Sequence, residues 1–268
     1  DNIVNFKNSF KSFNPLICFS VKSNYNSTIL KIIKEHGLGA DVVSDGELKK
    51  VLSLGFKPNR IVYSGVGKKF EELKFAISKN ILLINVESES ELKNIKKIAE
   101  KFGKKVSVGL RLNPNIDAKT NSKISTGRIQ DKFGLNGNDI IRILNKFKNS
   151  RNIKIKCLSV HIGSQITQNK PYNNVLIAIN KILSKSKYKF EYIDLGGGMG
   201  IKYIKDNKKL DYSKLSKNIY KFSKKNNCKI IFEPGRSIVG NTAVLLTKVI
   251  YIKNSSNKKF VIIDAGMN

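Results

Sequence analysis

Eight short apolar runs alternate with amphipathic stretches along residues 16–232, and this alternation limits the folds open to the chain. The apolar runs predict strands at 16–21, 38–43, 60–63, 81–86, 105–112, 153–160, 190–195 and 228–232. Helical periodicity predicts helices near 27–36, 45–54, 69–79, 88–102, 137–149, 171–186 and 212–226. Ser44 with Glu47, and Ser88 with Glu91, have the spacing of capping boxes at helix starts. Strand then helix, repeated to an eighth strand, is typical of a (β/α)₈ TIM barrel, with an open doubly wound sheet as the alternative.

Two segments depart from this alternation. Residues 113–136 carry no periodicity and are rich in Asn, Ser, Thr and Gly, and loops of this size in compact domains are usually functional or disordered. Residues 239–252 and 260–264 read as strands with no helix between them. We therefore predict a barrel domain over residues 1–236 and the truncated beginning of a C-terminal β domain over residues 237–268.

The net charge of +30, from 50 Lys and Arg against 20 Asp and Glu, is the compositional anomaly of the chain. A basic excess of this size suggests nucleic acid or an anionic surface as a partner. The lysines, however, are spread over almost every predicted helix and loop, and no nucleic-acid-binding motif accompanies them. We predict no nucleic-acid partner, although anionic substrates and phosphates would still be attracted.

The cysteines and the apolar runs bear on cellular location. Cys18, Cys157 and Cys228 stand singly, with neither metal-ligand spacing nor an obvious disulfide partner, so we expect reduced thiols and no metal site. No apolar run approaches the roughly 18 residues that a membrane span needs, and the start of the chain lacks a signal-peptide pattern. These features predict a cytoplasmic protein with no membrane partner.

Charged and other polar residues, together with glycines, follow the predicted strands at the end where barrel enzymes place their active sites. The residues at this end are Lys22, Asp41, Arg111, His161, the glycines Gly196, Gly197 and Gly198, and the run Glu233, Pro234, Gly235 and Arg236. Lys22 closes the first strand, where a low dielectric would disfavour its charged form and leave a nucleophilic amine that can hold a carbonyl compound. A lysine simply leaving the strand into solvent is the alternative.

The other residues at this end suggest how an anionic, ring-shaped cofactor would be held. Glycines lack Cβ atoms, so backbone N–H groups at 196–198 can approach an anion, to which Ser164 would add a hydroxyl. His161 is placed to stack on a planar ring or to move protons. Glu233 can hold a pyridine nitrogen in its protonated form, with an ion pair to Arg236 as the alternative.

Arg236 and Asp41 complete this set of candidates. Arg236 can pair bidentately with a carboxylate or phosphate. Asp41 can pair with Lys22, or serve only as a hydrogen-bonding neighbour of the site. His36, the second histidine, falls late in a predicted helix and is expected at the surface.

Together these motifs resemble the diaminopimelate decarboxylases, a family of enzymes that depend on pyridoxal 5′-phosphate. The matching segments are 20–24, 39–44, 63–68, 84–88, 161–165, 194–200, 233–236 and 264–268, so that the resemblance covers essentially the whole chain. The loop residues Asp117, Thr120, Thr126, Gly127, Lys132, Phe133 and Gly134 also match, whereas Asn121 stands where the family usually has histidine.

The resemblance implies an alanine-racemase-like barrel followed by a β domain, and a homodimer with shared active sites. It implies that Lys22 carries the cofactor aldehyde, that His161 stacks on the ring and that Glu233 pairs with the pyridine nitrogen. Ser164, the glycine run and Gly235 would hold the phosphate, and Arg236 would contact a substrate carboxylate. The implied reaction converts meso-2,6-diaminopimelate to L-lysine and carbon dioxide, the last step of lysine biosynthesis.

Three alternatives to this function stay open. A related enzyme acting on ornithine, arginine or carboxynorspermidine would share the barrel, as would a pyridoxal-phosphate-binding protein that catalyses nothing. A purely structural or RNA-binding role would require that the cofactor does not bind. The family's downstream arginine, Cys-Glu pair and tyrosine have no counterpart within residues 1–268, so we expect these residues alone to bind cofactor weakly and to be poorly active.

Overall fold

Eight parallel strands close into a barrel in sequence order, as the alternation predicts. The structure is a computed structural model that describes residues 1–118, 124–203 and 210–266. The barrel strands are β1 (Leu16–Ser20), β2 (Gly39–Val42), β3 (Ile61–Tyr63), β4 (Leu83–Val86), β5 (Val106–Arg111), β6 (Ile153–Ser159), β7 (Tyr192–Asp194) and β8 (Lys229–Phe232). Because β1 pairs with both β2 and β8, the sheet is closed and the doubly wound alternative is wrong.

Helices follow the strands and cover the outside of the barrel. They are α1 (Asn2–Ser9), α2 (Ser27–Glu35), α3 (Asp45–Ser53), α4 (Phe70–Ser78), α5 (Glu89–Lys101), α6 (Gly137–Phe147), α7 (Asn169–Ser186), α8 (Tyr212–Asn226) and α9 (Arg236–Val239). Their apolar faces pack on the strands and form one large buried core. Within the described ranges, no helix combines the length and the apolarity that crossing a bilayer requires.

Helix α1 has no counterpart among the sequence predictions. It buries only Ile3 and Phe6, too few positions for an apolar period to stand out. Its position is fixed by aromatic packing, since the rings of Phe6 and the following Phe10 lie 5.8 and 4.6 Å from that of Phe232 on β8. Tertiary contacts, which a local pattern does not report, therefore hold this helix against the barrel.

The two predicted capping boxes form in a shifted version. Ser44 accepts a hydrogen bond from the backbone N–H of Glu47 at 3.2 Å, and Ser88 accepts one from Glu91 at 3.2 Å, as predicted. Each glutamate, however, accepts from the residue before the serine, and one such bond joins Oε2 of Glu91 to the N–H of Glu87 at 2.8 Å. The shifted bond ties each helix start to the end of its preceding strand.

The segment after the barrel differs from the prediction in its first half. The predicted strand over 239–252 is wrong before residue 249, because α9 ends at Val239 and the Thr242 hydroxyl donates to the Val239 carbonyl oxygen. Strands β9 (Val249–Ser255) and β10 (Lys258–Ile263) then form an antiparallel hairpin that is separate from the barrel sheet. Both strands of this hairpin are solvent-exposed along their whole length.

Candidate active site

A pocket of about 360 Å³ opens at the carboxyl end of the barrel strands. It is lined by Ser20, Lys22, Ser23, His161, Ser164, Gly198, Tyr203, Glu233, Gly235, Arg236, Val239 and Gly240. Most of the residues singled out in the sequence therefore share one cavity, although they come from distant parts of the chain. Of the others, Asp41, Gly196, Gly197 and Pro234 contact residues of its wall, whereas Arg111 pairs with Glu87 outside it.

Lys22 lies in a short 3₁₀ turn, Val21–Ser23, directly after β1. Its side chain is half exposed, and its Nζ lies 3.6 Å from Oδ2 of the fully buried Asp41. Desolvation lowers the pKa of Lys22, but the charges of Asp41 and Glu233 outweigh it, so that the pKa lies above the usual lysine value. The predicted neutral amine is therefore wrong for the ligand-free chain, because two carboxyl groups face the lysine.

The side chain of Asp41 makes a polar contact inside the barrel. Its Oδ2 accepts a hydrogen bond from the Ser20 hydroxyl at 2.8 Å, while its Oδ1 has no hydrogen-bond partner among the described residues. A carboxylate fixed in this way by the neighbouring strand holds its charge close to the amine of Lys22.

His161 is a neutral imidazole on the pocket wall. Burial, followed by the charges of Lys22 and Arg111, lowers the pKa of His161 well below its usual range. Its Nδ1 accepts a hydrogen bond from the N–H of Gly197 at 3.2 Å, which assigns the ring proton to Nε2. A neutral ring in a fixed orientation suits stacking better than charge pairing.

The glycine run is required by close backbone contacts. A Cβ atom at Gly197 would lie 2.1 Å from the carbonyl oxygen of Glu233, and one at Gly198 would lie 2.2 Å from that of Gly163. Gly198 also has a φ of +86°, a conformation that L side chains rarely adopt. The backbone after β7 can therefore pass between the segments after β6 and β8 only if these positions lack side chains.

Glu233 and Arg236 do not form the ion pair considered above; among the described residues Arg236 has other partners. Its Nε donates to the Ser164 hydroxyl at 3.3 Å, and its NH1 donates to the Tyr203 hydroxyl at 2.5 Å. The carboxyl group of Glu233 is buried, and its Oε1 has no hydrogen-bond partner among the described residues. Burial raises the pKa of Glu233 well above its usual range, and the charges of Asp194 and Asp41 add to that shift.

Three polar residues of this end were given no role from the sequence. Tyr203 lines the pocket and contacts Arg236. Asp194 and Asn85 lie inside the barrel, where Nδ2 of Asn85 donates to Oδ2 of Asp194 at 3.2 Å. Asp194 directly precedes the glycine run, and Asn85 falls within an apolar run. A polar residue on a buried strand needs a hydrogen-bond partner, and this is the sequence signal that could have indicated both positions.

Arg111 and the loop over 113–136 are tied together through Glu87. NH1 of Arg111 donates to Oε1 of Glu87 at 2.6 Å, and the N–H of Gly134 donates to Oε2 at 2.8 Å. The Thr126 hydroxyl donates to the carbonyl oxygen of His161 at 2.8 Å. The described parts of this loop therefore pack on the pocket wall, while the predicted positions Thr120 and Asn121 lie outside the described residues.

Comparison with known proteins assigns the family. A sequence model described as "Pyridoxal-dependent decarboxylase, pyridoxal binding domain" matches residues 2–240. The chain belongs to this family of decarboxylases. The match runs from helix α1 through the barrel to the end of α9, so it includes all of the pocket residues described above.

Individual relatives agree with this assignment. The chain is 42% identical to the diaminopimelate decarboxylase of Zymomonas mobilis over 94% of its own length and 61% of the relative's. It is 40% identical to the diaminopimelate decarboxylase of Aquifex aeolicus with the same coverages, 94% and 61%. Its structure matches that of the diaminopimelate decarboxylase of Helicobacter pylori complexed with L-lysine, with a TM-score of 0.92, 39% identity and coverage of 99% of this chain and 68% of that one. The chain thus spans about three fifths of the length of the curated relatives that it matches.

Proposed function

We propose that this chain acts in the decarboxylation of meso-2,6-diaminopimelate to L-lysine and carbon dioxide, the last step of lysine biosynthesis, with pyridoxal 5′-phosphate as cofactor. The observation that carries the proposal is the unpartnered Oε1 of Glu233, buried in the wall of the pocket that Lys22 enters. The relatives named diaminopimelate decarboxylase support the choice of substrate.

The residues present fit this cofactor. A buried carboxyl oxygen without a partner offers an acceptor to a pyridine N–H. Lys22 projects a half-exposed amine into the same pocket, which suits a covalent bond to an aldehyde. Gly198 of the glycine run lines the same pocket as Ser164 and Arg236, and the latter two are hydrogen-bonded to each other. A phosphate would therefore find hydroxyl, guanidinium and backbone donors in one pocket.

Each residue then has a stated task in our proposal. Lys22 would hold the aldehyde, His161 would lie against the ring, and Glu233 would accept from the ring nitrogen. Ser164, the glycine run 196–198 and the backbone N–H of Gly235, which follows Pro234, would hold the phosphate, and Arg236 would contact a substrate carboxylate. When bound, the cofactor supplies an electron sink for the carbanion left by loss of carbon dioxide.

Before that step the chain must release the amine of Lys22 from Asp41. A charged ammonium is not a nucleophile, so Lys22 has to lose a proton before it can bond to an aldehyde. Asp41, 3.6 Å away and with one oxygen unpartnered, is the group placed to take up a proton or to hold the ammonium when the lysine is displaced.

A covalent-trapping experiment tests the cofactor half of the proposal. The purified chain is mixed with pyridoxal 5′-phosphate, its visible absorbance is recorded, and the adduct is fixed with borohydride and located by peptide mass. We expect the reduced adduct on Lys22, with Lys22→Ala losing it and the exposed-lysine variant Lys31→Ala keeping it. An adduct spread over surface lysines, unchanged in Lys22→Ala, would contradict the proposal.

A substrate comparison tests the reaction. Lysine and carbon dioxide are measured after incubation with meso-2,6-diaminopimelate, in parallel with ornithine, arginine and carboxynorspermidine. We expect lysine to form slowly, in keeping with the poor activity predicted for residues 1–268. Faster loss of carbon dioxide from one of the other amino acids would select that substrate instead. An adduct on Lys22 with no amino acid consumed would favour the binding protein without catalysis.

We also propose a cytoplasmic homodimer with shared active sites, in which residues 1–236 form the cofactor-binding domain and residues 237–268 begin a β domain. The exposed apolar residues of β9 and β10 support burial of this hairpin in the assembled protein. The three free cysteines are typical of a reducing compartment. Sedimentation with and without cofactor would test the dimer, and a monomer at all concentrations would contradict it.

A further inference from the structure

Two buried carboxyl groups meet beneath the pocket. The side chains of Asp194, at the end of β7, and Glu233, just after β8, are hydrogen-bonded to each other. Asp194 is fully buried and Glu233 is 6% exposed. Because a carboxylate has only acceptor oxygens, two of them form a hydrogen bond only when a proton lies between them. The contact therefore implies one shared proton.

The surroundings of the pair fix one member more firmly than the other. Oδ1 of Asp194 accepts from the N–H of Gly196 at 2.9 Å, and its Oδ2 accepts from Nδ2 of Asn85 at 3.2 Å. Glu233 is held through its backbone, whose N–H donates to the carbonyl oxygen of Gly196 at 2.8 Å, while its Oε1 remains unpartnered in the pocket wall. Asp194 is the anchored partner, and Glu233 is the one with a free oxygen.

Titratable groups face the pair from several strands. They are Cys18 on β1, Lys22 after β1, Asp41 on β2 and Cys157 on β6. Burial raises the pKa of both cysteines well above the usual thiol value, so neither carries charge at neutral pH. Lys22 is the cation of this group and Asp41 pairs with it. The charge of the Asp194–Glu233 pair is therefore reduced by the shared proton, from two negative charges to one.

We propose that Asp194 is a positioning residue for Glu233: it shares a proton with Glu233 in the free chain, keeps the Glu233 carboxyl group in the pocket wall, and retains that proton when a pyridine ring binds. The shared proton then passes from the Glu233 oxygen to the Asp194 oxygen. The ring enters with its nitrogen already protonated, so Glu233 is left ionised beside that N–H, and Asp194 donates to Glu233. Only this proton moves, and the pair with the ring becomes neutral overall. The part of this inference that concerns the ring rests on the proposed cofactor.

Two properties of the pair agree with this assignment. Burial raises the pKa of Asp194 to about 6, and the pKa of Glu233 lies further above its own usual value, so the pair holds a proton at neutral pH. Without the shared proton the pair would carry two buried negative charges next to Asp41, which is costly in a low-dielectric interior.

Infrared spectroscopy of the ligand-free 268-residue chain at neutral pH tests the shared proton without any cofactor. We expect the C=O stretch of a protonated, buried carboxyl group in the native chain and its loss in both Asp194→Asn and Glu233→Gln, because each leaves a single carboxylate that accepts from an amide. Asp139→Asn, which removes an exposed carboxyl group at the start of α6, is the matched control and should keep the band. A native chain without the band would overturn the proposal.

Binding of pyridoxine 5′-phosphate, which lacks the aldehyde and cannot bond to Lys22, tests the positioning role. We expect Asp194→Asn to bind within about threefold of the native chain, since its amide also donates to Glu233, and Asp194→Ala to bind about tenfold more weakly. The infrared band of the native chain should shift and persist on binding. Its disappearance, or equal weakening in the Asn and Ala variants, would contradict the proposal.

The two measurements separate this inference from the proposed function. A band that is lost in both variants, in a chain that binds no pyridine compound, would establish the shared proton and reject the cofactor role. A chain that forms the Lys22 adduct but has no band would keep the proposed function and reject the role of Asp194.

Discussion

Two lysines at the same end of the barrel occupy contrasting environments. Lys68, after β3, has a side chain that is 1% exposed, and its Nζ donates to the carbonyl oxygens of Gly65 and Asn85 at 2.6 and 2.8 Å and to Oε1 of Glu91 at 2.6 Å. Lys22, after β1, is 50% exposed and has one longer ion pair of 3.6 Å to Asp41. Both lysines are paired, but only Lys22 has donor capacity left.

The difference shows that burial alone does not mark a reactive lysine. An ammonium group has three N–H donors, and Lys68 uses all of them to join the loop after β3 to strand β4 and helix α5. Lys22 is held loosely beside one carboxylate at the edge of a pocket. We infer that Lys68 serves stability and Lys22 serves chemistry, and the following predictions test that division.

Replacing Lys22 by alanine should have the largest functional effect. We expect complete loss of the reducible cofactor adduct, because no other described lysine lines the pocket. The melting temperature should fall less than in the Lys68 variant below, since Lys22 contributes one long and half-exposed ion pair to Asp41. Adduct mass spectrometry and thermal melting measure the two effects, and an unfolded Lys22→Ala chain would contradict the division.

Replacing Lys68 by methionine should give the opposite result. Removing one partner of a buried pair leaves Glu91 uncompensated, which we expect to cost about 3 kcal/mol and to lower the melting temperature by about 5 °C. The adduct should still form on Lys22 below the new melting temperature. The double variant Lys68→Met/Glu91→Gln should recover part of the loss, and no recovery would argue against the ion pair as its cause.

How far the sequence predicts this molecule depends on the range of the interactions involved. The barrel strands follow from runs of buried residues such as those of β1, because strands covered on both faces are apolar throughout. Helix α1 does not follow, because its position depends on contacts such as that between Phe10 and Phe232. The strand predicted from residue 239 does not follow either, since α9 ends at Val239 and β9 begins only at Val249.

The candidate site shows the same limit. Topology brings Lys22, His161 and Glu233 to one pocket, since the carboxyl ends of all the strands meet at one end of the barrel. The predicted charge state of Lys22 is wrong because its pKa depends on Asp41, on β2, and on Glu233, just after β8, which are distant in sequence. The contact of Asp194 with Glu233 was not predicted because side-chain directions inside a barrel depend on strand register.

A smaller effect is expected when Asp41 is replaced by asparagine. The pKa of Lys22 is raised by Asp41, so removing this carboxylate should lower it and increase the neutral fraction of the amine at neutral pH. The rate of adduct formation increases with pH as the amine loses its proton, so in Asp41→Asn this increase should occur at a lower pH. At a fixed pH below the pKa, the rate should be about tenfold higher for each unit by which the pKa falls. Stopped-flow absorbance measures this rate. Glu91→Gln, at the Lys68 site, is the matched control, and a shift to higher pH in Asp41→Asn would contradict the assignment.

The smallest effect is expected for Tyr203→Phe. Arg236 is another cation of the pocket, and its contacts with Tyr203 comprise a hydrogen bond and a ring 5.8 Å from the guanidinium carbon. Phenylalanine keeps the ring and removes the hydroxyl, and Tyr203 is 59% exposed, so water can replace the lost partner. We expect cofactor affinity to change by less than about threefold, whereas Arg236→Lys, which removes the fork of donors, should weaken it further. Fluorescence titration distinguishes the two variants. A large loss of cofactor affinity in Tyr203→Phe would show that Arg236 is held as firmly by its partners as Lys68 is by its own.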